Sequence, residues 1–485
     1  MTSPSPAPAS RPRSAWKIGA VALCLVLALG LGWRAHDRRA RVQAYVPARP
    51  AGAVLSPALA ERLTAAESRA RGWWQPAAGV AELGRLYHAN GHAAEAALCY
   101  TGAREVAPTE ALWPHLLASL LAGAGRLEEA LPLWREAVRL DPDYEPARLR
   151  LGDVLLKSNQ AAEAARVYEA VLARTADQPY ALLGLARCRL SAGDWAGARE
   201  LLVRARQQHP DFVGTLTLLV TVHEHFGDAD QAKAVRASIG MREFHDLRDP
   251  WLDALLEECY DPYRVSVGAA VATYSGEPDT AVRLLERSIQ LAPREGTYQR
   301  QLGKLHYQLK RHEPARRHLE QAVALSPEDA DAWSLLVDLL NTVGDEAAMQ
   351  RALATGLKHC PNSAALRFAH GSRLARTGRV GEAIGELRQA QRLKPDEVRP
   401  SMELASLFFR QDRVEEGMAE IRRALVAEPG HPLALSILTR HAIETGDEAQ
   451  ARHSLSQLRS LHRLSPEDLA TLTDTYRTRF RRNPW

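Results

Sequence analysis

The sequence repeats itself every 34 residues, and this period constrains the fold more than any other feature. A column of mostly small residues recurs in steps of 34 in two series, Gly84, Ala118, Gly152, Ala186 and Val220, then Ala269, Gly303, Val337, Gly371, Ala405 and Thr439. Twelve residues further on, a second column holds alanine in nine of eleven cases. A fixed period of this length is typical of stacked supersecondary units.

Each period is predicted to form two antiparallel helices. The first helix ends at a glycine or a polar residue, as at Gly91 and Gly125, because glycine permits the positive φ of a helix stop. In the second helix the alanine is followed four residues later by an apolar residue, as in Ala96 and Tyr100, so both lie on one helix face. Proline then ends most periods, as at Pro108.

The pattern resembles the tetratricopeptide repeat family. Residues 77–110 carry the family's residues at its key positions, namely Leu83, Gly84, Tyr87, Ala96, Tyr100, Ala103 and Pro108. The resemblance covers about 77–465 in eleven repeats, of which 213–246 and 432–465 are degenerate. It implies an all-α fold, a right-handed α-solenoid that binds proteins or peptides in a concave groove. It also implies that positions 2, 5, 9 and 12 of each first helix face that groove.

The two series divide the chain into arrays separated by an insertion, because the step between Val220 and Ala269 is 15 residues too long. The predicted organisation is a disordered tail (1–14), a transmembrane anchor or signal sequence (15–33), a basic linker (34–55), an N-terminal capping helix (56–76), a five-repeat array (77–246), the insertion (247–261), a six-repeat array (262–465) and a C-terminal capping helix (466–485).

The apolar segment 18–33 contains sixteen residues without a charge. As a helix it would span about 24 Å, slightly less than the hydrocarbon core of a bilayer. Trp16 and Trp33 suit the two interfaces, so we expect a single-pass membrane anchor with the repeats outside the cytoplasm. The alternative is a signal peptide cleaved after Gly30, which would release a soluble exported protein.

Charge and motif content argue against several function classes. Residues 51–485 hold 54 basic and 57 acidic side chains, which does not favour nucleic-acid binding. The five cysteines form no Cys-x-x-Cys pair, and the chain has no nucleophile elbow, phosphate loop or zinc-protease motif. We therefore predict no catalytic residue, no metal site and no cofactor.

Candidate partner contacts follow from the groove positions. The first choice is the apolar stretch Leu149, Leu156, Tyr180, Leu183 and Leu190, and the second is the patch Arg300, Lys304 and Tyr307. The repeat 398–431 offers a further set at Arg399, Met402, Phe409 and Arg410. In or beside the insertion, Trp251, Tyr260 and Tyr263 would suit a binding hot spot if exposed. The other interpretation is that the insertion packs as an extra helix between the arrays.

The function indicated by these features is a membrane-tethered scaffold that binds partner proteins or peptides without catalysis. The alternative is an accessory or regulatory subunit of an envelope enzyme or assembly complex. The sequence indicates neither the partner nor an oligomeric state.

Overall fold

The computed structural model describes residues 23, 33, 36, 37, 39–50, 55–239, 247–461 and 464–485. Within these residues all regular structure is helical. The all-helical repeat architecture is therefore confirmed. The helices form two compact units, an N-terminal unit that ends at Leu291 and a C-terminal unit that begins at Ala292.

The N-terminal unit contains helix α1 (Pro57–Arg71) and six of the helix pairs found in the described part of the chain, and residues 39–43 before α1 are also helical. The pairs are repeat 1, α2 (Pro76–Ala89) and α3 (Ala93–Val106); repeat 2, α4 (Leu112–Gly123) and α5 (Leu127–Leu140); repeat 3, α6 (Glu145–Lys157) and α7 (Ala161–Leu172); repeat 4, α8 (Pro179–Ser191) and α9 (Trp195–Gln208); repeat 5, α10 (Val213–His225) and α11 (Ala229–Ile239); and repeat 6, α13 (Pro262–Tyr274) and α14 (Pro278–Leu291). The insertion forms the short helix α12 (Pro250–Asp253) and a 3-10 helix (Ala254–Glu258).

The C-terminal unit contains five helix pairs and a last helix, counted over its described residues. They are repeat 7, α15 (Gly296–Gln308) and α16 (His312–Leu325); repeat 8, α17 (Ala330–Thr342) and α18 (Glu346–His359); repeat 9, α19 (Ala364–Arg376) and α20 (Val380–Leu393); repeat 10, α21 (Val398–Arg410) and α22 (Val414–Ala427); repeat 11, α23 (Pro432–Thr445) and α24 (Glu448–Leu461); and helix α25 (Pro466–Phe480). The compact units thus divide after repeat 6, whereas the sequence places the break between arrays at the insertion.

The turn inside each repeat places one residue in the left-handed region. Eight of these residues are glycines and one is Asn159, all at positions where the sequence predicts a helix stop. In the turns of repeats 7 and 10 the left-handed residues are Lys310 and Asp412, with φ of 57° and 58°. The turn therefore keeps its geometry even where no glycine supplies it, and these two side chains carry the steric cost of that conformation.

Small residues allow close approach between the two helices of a repeat. The column alanines Ala96, Ala130 and Ala164 are fully buried. A Cβ on Gly152 would lie 2.6 Å from the ring of Tyr168, which is itself buried. The second helix can therefore press its aromatic side chain against the backbone of the first, and this contact explains why the first column holds small residues.

Part of the predicted basic linker packs against repeat 1. Val42 is fully buried, and the Cys99 thiol donates a hydrogen bond to the backbone oxygen of Tyr45 at 3.7 Å. Arg49 forms an ion pair with Glu67 of α1 at 3.0 Å. These contacts hold residues 39–50 on the first repeat.

The predicted tail and most of the apolar segment lie outside the described residues, which include only Leu23 and Trp33 of it. Among the described residues, no helix has both the length and the apolar character needed to cross a membrane. At the other end of the chain, α25 begins after Ser465, whose hydroxyl accepts a hydrogen bond from the Asp468 amide at 3.0 Å. Its Tyr476 is fully buried.

Candidate functional site

The first helices expose a surface at positions 2, 5, 9 and 12, called the A-helix face below. In repeats 1 and 2 this face carries the insertion. Asp249 lies at the centre of this contact and is 1% exposed. His115, at position 5 of repeat 2, donates a hydrogen bond from Nε2 to Asp249 Oδ2 at 2.8 Å. The Tyr144 hydroxyl donates to the other carboxylate oxygen at 2.6 Å. The insertion therefore lies on this face. It also contacts repeat 6, where the Arg287 guanidinium donates to the Cys259 backbone oxygen at 2.9 Å and Arg283 pairs with Glu257 at 3.2 Å.

An aromatic stack extends this contact. The Trp251 ring lies parallel to the Tyr144 ring, with centroids 3.5 Å apart, and the His115 ring meets Trp251 edge-on at 5.3 Å. The backbone amide of Trp251 also donates to the Tyr144 hydroxyl oxygen at 3.0 Å. Trp251 is half-buried and engaged with its own chain.

The far end of the insertion is held by repeat 1. Arg85, at position 9, forms an ion pair with Glu258 at 2.8 Å. The Asn90 side chain donates to the Glu258 backbone oxygen at 3.1 Å and accepts from the Tyr260 amide at 2.8 Å. Both groove positions, 5 and 9, thus bind the chain's own insertion in this region.

The buried charge at Asp249 is stabilised by its hydrogen-bond donors. Burial by itself would raise the pKa of Asp249, but the hydrogen bonds from His115 and Tyr144 outweigh it and hold the pKa below its ordinary value. Burial and the hydrogen bond to Asp249 both raise the pKa of Tyr144. At neutral pH the carboxylate is therefore ionised and the phenol stays protonated as its donor.

The C-terminal unit has an open groove on the same face, formed by repeats 9 to 11. It encloses about 830 Å³ and its apolar lining consists of Phe368, Val398, Met402, Ala405, Phe409, Leu433 and Ile437. Arg399, Met402, Ser406 and Phe409, which also line it, are positions 2, 5, 9 and 12 of repeat 10. No described segment of the C-terminal unit lies over the groove.

Helix α21 builds the groove because its two faces have different roles. One face is buried in the repeat core and includes Leu404, Ala405 and Phe408. The opposite stripe, at helical spacing, stays at the surface and lines the groove. The Phe409 ring rests on Gly417 of α22, where any Cβ would collide with it. The apolar floor is therefore fixed by packing beneath it.

The groove rim carries charges of both signs. Arg399 lies over the Phe368 ring, 4.9 Å from its centroid, and is paired with Glu397. Arg410 is exposed and has no ion-pair or hydrogen-bond partner among the described residues. Glu403 and His431 also line the rim, and the His431 ring caps α23 by accepting from the Ala434 amide at 3.2 Å. Arg410 is thus the rim cation available to an acidic group.

The first predicted partner stretch is less accessible than the sequence indicates. Leu149 and Leu183 are 1% and 3% exposed. Tyr180 and Leu190 are half-buried and pack with Leu183 against the core of repeats 4 and 5. Leu156 is half-buried on α6. Leu156, Tyr180 and Leu190 are therefore accessible to a partner, whereas Leu149 and Leu183 pack in the core.

The second predicted patch is partly neutralised. Arg300 forms an ion pair with Asp329 at 2.7 Å, and the Tyr307 hydroxyl shares a hydrogen bond with Thr342 at 2.9 Å. Lys304 is exposed. This patch is therefore less basic than its sequence suggests.

The aromatic residues near the insertion have different surroundings. The Arg287 guanidinium lies 5.6 Å from the centroid of the half-buried Tyr260 ring. Tyr263, the second residue of α13 just beyond the insertion, is 69% exposed. Of the predicted residues in or beside the insertion, it is the one whose ring is free for a partner.

The described residues contain no group of three His, Cys, Asp or Glu side chains placed to hold a metal ion. Cys99, Cys188, Cys259 and Cys360 are buried free thiols.

The sequence analysis did not identify His115, Tyr144 or Asp249 as a cluster. Asp249 is 134 residues from His115 and 105 from Tyr144. The available signals were a polar residue at groove position 5 and the sequence Asp-Pro-Trp at the start of the insertion.

Comparisons with known families agree with the repeat pattern. Two tetratricopeptide repeat models match the chain, one at residues 121–188, 155–212 and 272–339 and the other at 368–432. The chain therefore contains tetratricopeptide repeats.

Individual relatives are more distant. The cellulose synthase 1 operon protein C of Komagataeibacter xylinus is 27% identical over 321 residues, which is 63% of this chain and 22% of that protein. A TPR repeat-containing thioredoxin of Arabidopsis thaliana is 37% identical over 87 residues, which is 18% of this chain and 13% of that protein. The chain thus spans less than a quarter of the length of both. Yeast Tom70, whose crystal structure is known, is 13% identical in sequence. The structural match covers 84% of this chain and 96% of the Tom70 chain, with a TM-score of 0.38.

Proposed function

We propose that this chain of tetratricopeptide repeats is a membrane-tethered scaffold that binds a peptide segment of a partner protein in the groove of repeats 9–11. The mechanism is binding alone, with no bond made or broken. Tethering would raise the local concentration of the bound partner at the membrane.

The open groove of the C-terminal unit is the observation that carries the proposal. It offers seven apolar side chains around about 830 Å³, a volume suited to several side chains of a peptide. Its floor is fixed by the repeat core, so little conformational entropy would be lost on binding.

The lining favours a particular peptide chemistry. Phe368, Met402 and Phe409 favour aliphatic or aromatic anchors, because burying such side chains is the main source of affinity. Arg410, which lacks a partner within the described residues, favours an acidic group beside the anchors. We therefore infer an apolar peptide segment with an acidic flank.

The tether is proposed from the sequence. Residues 18–33 carry no charge; Trp16 and Lys17 precede them and Trp33 ends them, as interfacial residues do. Basic residues lie on both sides of this segment, so their distribution does not decide the membrane orientation. We propose that the repeats lie outside the cytoplasm.

A second candidate function is a dedicated subunit of an envelope enzyme or assembly complex. It is favoured by the similarity, over 63% of this chain, to a protein named for a cellulose synthase operon. Such a subunit would bind one fixed partner, whereas a scaffold would bind several.

Quantitative affinity capture from cells tests the groove. The full-length chain is compared with Met402→Glu, which places a charge on the apolar floor, and with Leu325→Glu on an exposed position of the same unit. We expect the captured proteins to fall at least about tenfold with Met402→Glu and to remain with Leu325→Glu. Equal capture by all three would contradict groove binding, and one stoichiometric partner would favour the subunit.

Alkaline extraction of membranes tests the tether separately. We expect the full-length chain to stay in the membrane pellet and a chain lacking residues 1–33 to be released. Release of both forms would contradict the tether and leave the groove proposal standing.

A further inference from the structure

Two tryptophans project from the loop between α1 and α2. Trp73 is 53% exposed and Trp74 is 95% exposed. Because an almost fully exposed tryptophan leaves a large apolar area in water, such a pair indicates a surface that something else covers. At this exposure Trp74 is not part of the repeat core that the described residues form.

The chain that follows the apolar segment comes to this loop. The His36 ring lies 6.0 Å from the Trp73 ring, and the Arg39 guanidinium lies over Trp73 at 4.4 Å. His36 is three residues from Trp33, so the two are at most ~11 Å apart whatever the backbone does. Trp33 is 69% exposed. The three tryptophans therefore belong to one end of the N-terminal unit.

The loop is bordered by arginines. Arg71, at the end of α1, is exposed and has no ion-pair or hydrogen-bond partner in the described part of the chain. Arg39 contacts the Trp73 ring without pairing to a described carboxylate. Tryptophan with free arginine suits a bilayer interface, where the rings lie at headgroup level and guanidinium groups meet phosphates.

The dimensions of a bilayer agree with this placement. The headgroup layer on each side adds roughly 5–8 Å to the hydrocarbon core. If residues 18–33 span the core, Trp33 lies at its edge and His36 within or just above the headgroups. Trp73, in ring contact with His36, then lies at the same level.

We propose that the loop residues Trp73 and Trp74, with Arg39 and Arg71, form a second membrane contact that binds an anionic lipid surface. This inference rests on the proposed tether. Its consequence is that repeat 1 lies against the bilayer, since residues 39–50 are packed on repeat 1 and leave no free linker there.

A fluorescent label placed beside the tryptophans tests the contact. Gln75→Cys is suitable because the Gln75 side chain is exposed and makes no capping hydrogen bond. The full-length chain, labelled there with a polarity-sensitive dye, is reconstituted in vesicles of phosphatidylcholine with phosphatidylglycerol. The matched control carries the dye at Val426→Cys, which is 82% exposed in the C-terminal unit.

We expect brominated lipids to quench the dye at position 75 and not at position 426. Adding Trp74→Ala and Arg71→Gln should reduce the quenching by about twofold or more, because the apolar and cationic contacts are lost. Replacing phosphatidylglycerol with phosphatidylcholine should also reduce it.

The outcomes separate this inference from the tether. If the chain does not float with vesicles, the tether itself is contradicted and this contact with it. If the chain floats but the dye at position 75 reports water, the membrane contact is overturned while the tether stands. In that case a protein partner would be the occupant of the tryptophan surface.

Discussion

The A-helix face is covered by its own chain in repeats 1 and 2 and is open in repeats 9–11. Position 5 is His115 in repeat 2, where it binds Asp249 of the insertion. The same position is Met402 in repeat 10, where it lines an unfilled groove. Equivalent repeat positions therefore serve internal packing in one unit and remain available in the other.

The difference shows that a repeat register predicts which way a side chain faces but not what covers it. A 15-residue insertion supplies the cover in the N-terminal unit through contacts over more than 100 residues of sequence. Substitutions on the two surfaces should therefore have different effects. Those at the insertion contact should lower stability, and those in the groove of repeats 9–11 should lower partner binding.

The largest effect is expected from Asp249→Ala. It would leave His115 and Tyr144 buried without their acceptor, so we expect a loss of about 3 kcal/mol from the N-terminal unit. Denaturant unfolding of the full chain measures this, with Asp253→Ala, which removes a partly exposed carboxylate, as the control. A change no larger than that of the control would show that the insertion does not stabilise the face.

A smaller loss is expected from Trp251→Ala. The half-buried ring stacks on Tyr144, so its removal should cost about 2 kcal/mol. Hydrogen exchange should also rise along the insertion and the start of α6. Tyr263→Ala, at a 69% exposed ring, should leave unfolding within about 0.5 kcal/mol of the parent. Equal effects would mean that the stack contributes nothing.

The stability contributed by Asp249 should depend on pH. Its folded pKa is lowered, so the contribution is complete above the unfolded pKa of about 4 and is lost as pH falls through the folded pKa. The stability difference between the parent and Asp249→Asn should therefore shrink under acid conditions. A difference that grows on acidification would reverse the assigned sign.

The smallest effect concerns the turn of repeat 10. Asp412 has a φ of 58°, so Asp412→Gly should stabilise the C-terminal unit by about 1 kcal/mol. Gly378→Ala in repeat 9, where φ is 79°, should cost about as much. Neither change should alter partner capture, because neither residue lines the groove. A loss of capture with Asp412→Gly would show that the turn influences the groove.

Much of the fold follows from the sequence because the repeat columns report local geometry. The alanine column predicts buried contacts such as Ala130, and the glycine positions predict positive φ. The positive φ of Lys310 and Asp412 was not predicted, because the two helices of a repeat impose the turn conformation even without a glycine.

The candidate site was harder to predict because exposure depends on neighbours. Leu149 and Met402 share position 5, yet Leu149 is 1% exposed while Met402 lines a groove. The local environment of each repeat decides how far an apolar side chain is covered. The contact between Asp249 and His115 could be identified only from the structure, because no local sequence pattern relates the two residues.

Photo-crosslinking at a matched pair of serines tests the central claim most directly. Ser119 and Ser406 both occupy position 9, in repeat 2 near the insertion and in repeat 10 within the open groove. A photoreactive residue at each site is activated in cells expressing the full chain. We predict crosslinks to partner proteins from position 406, and none from position 119. Partner crosslinks from position 119 alone, or equally from both, would contradict the account.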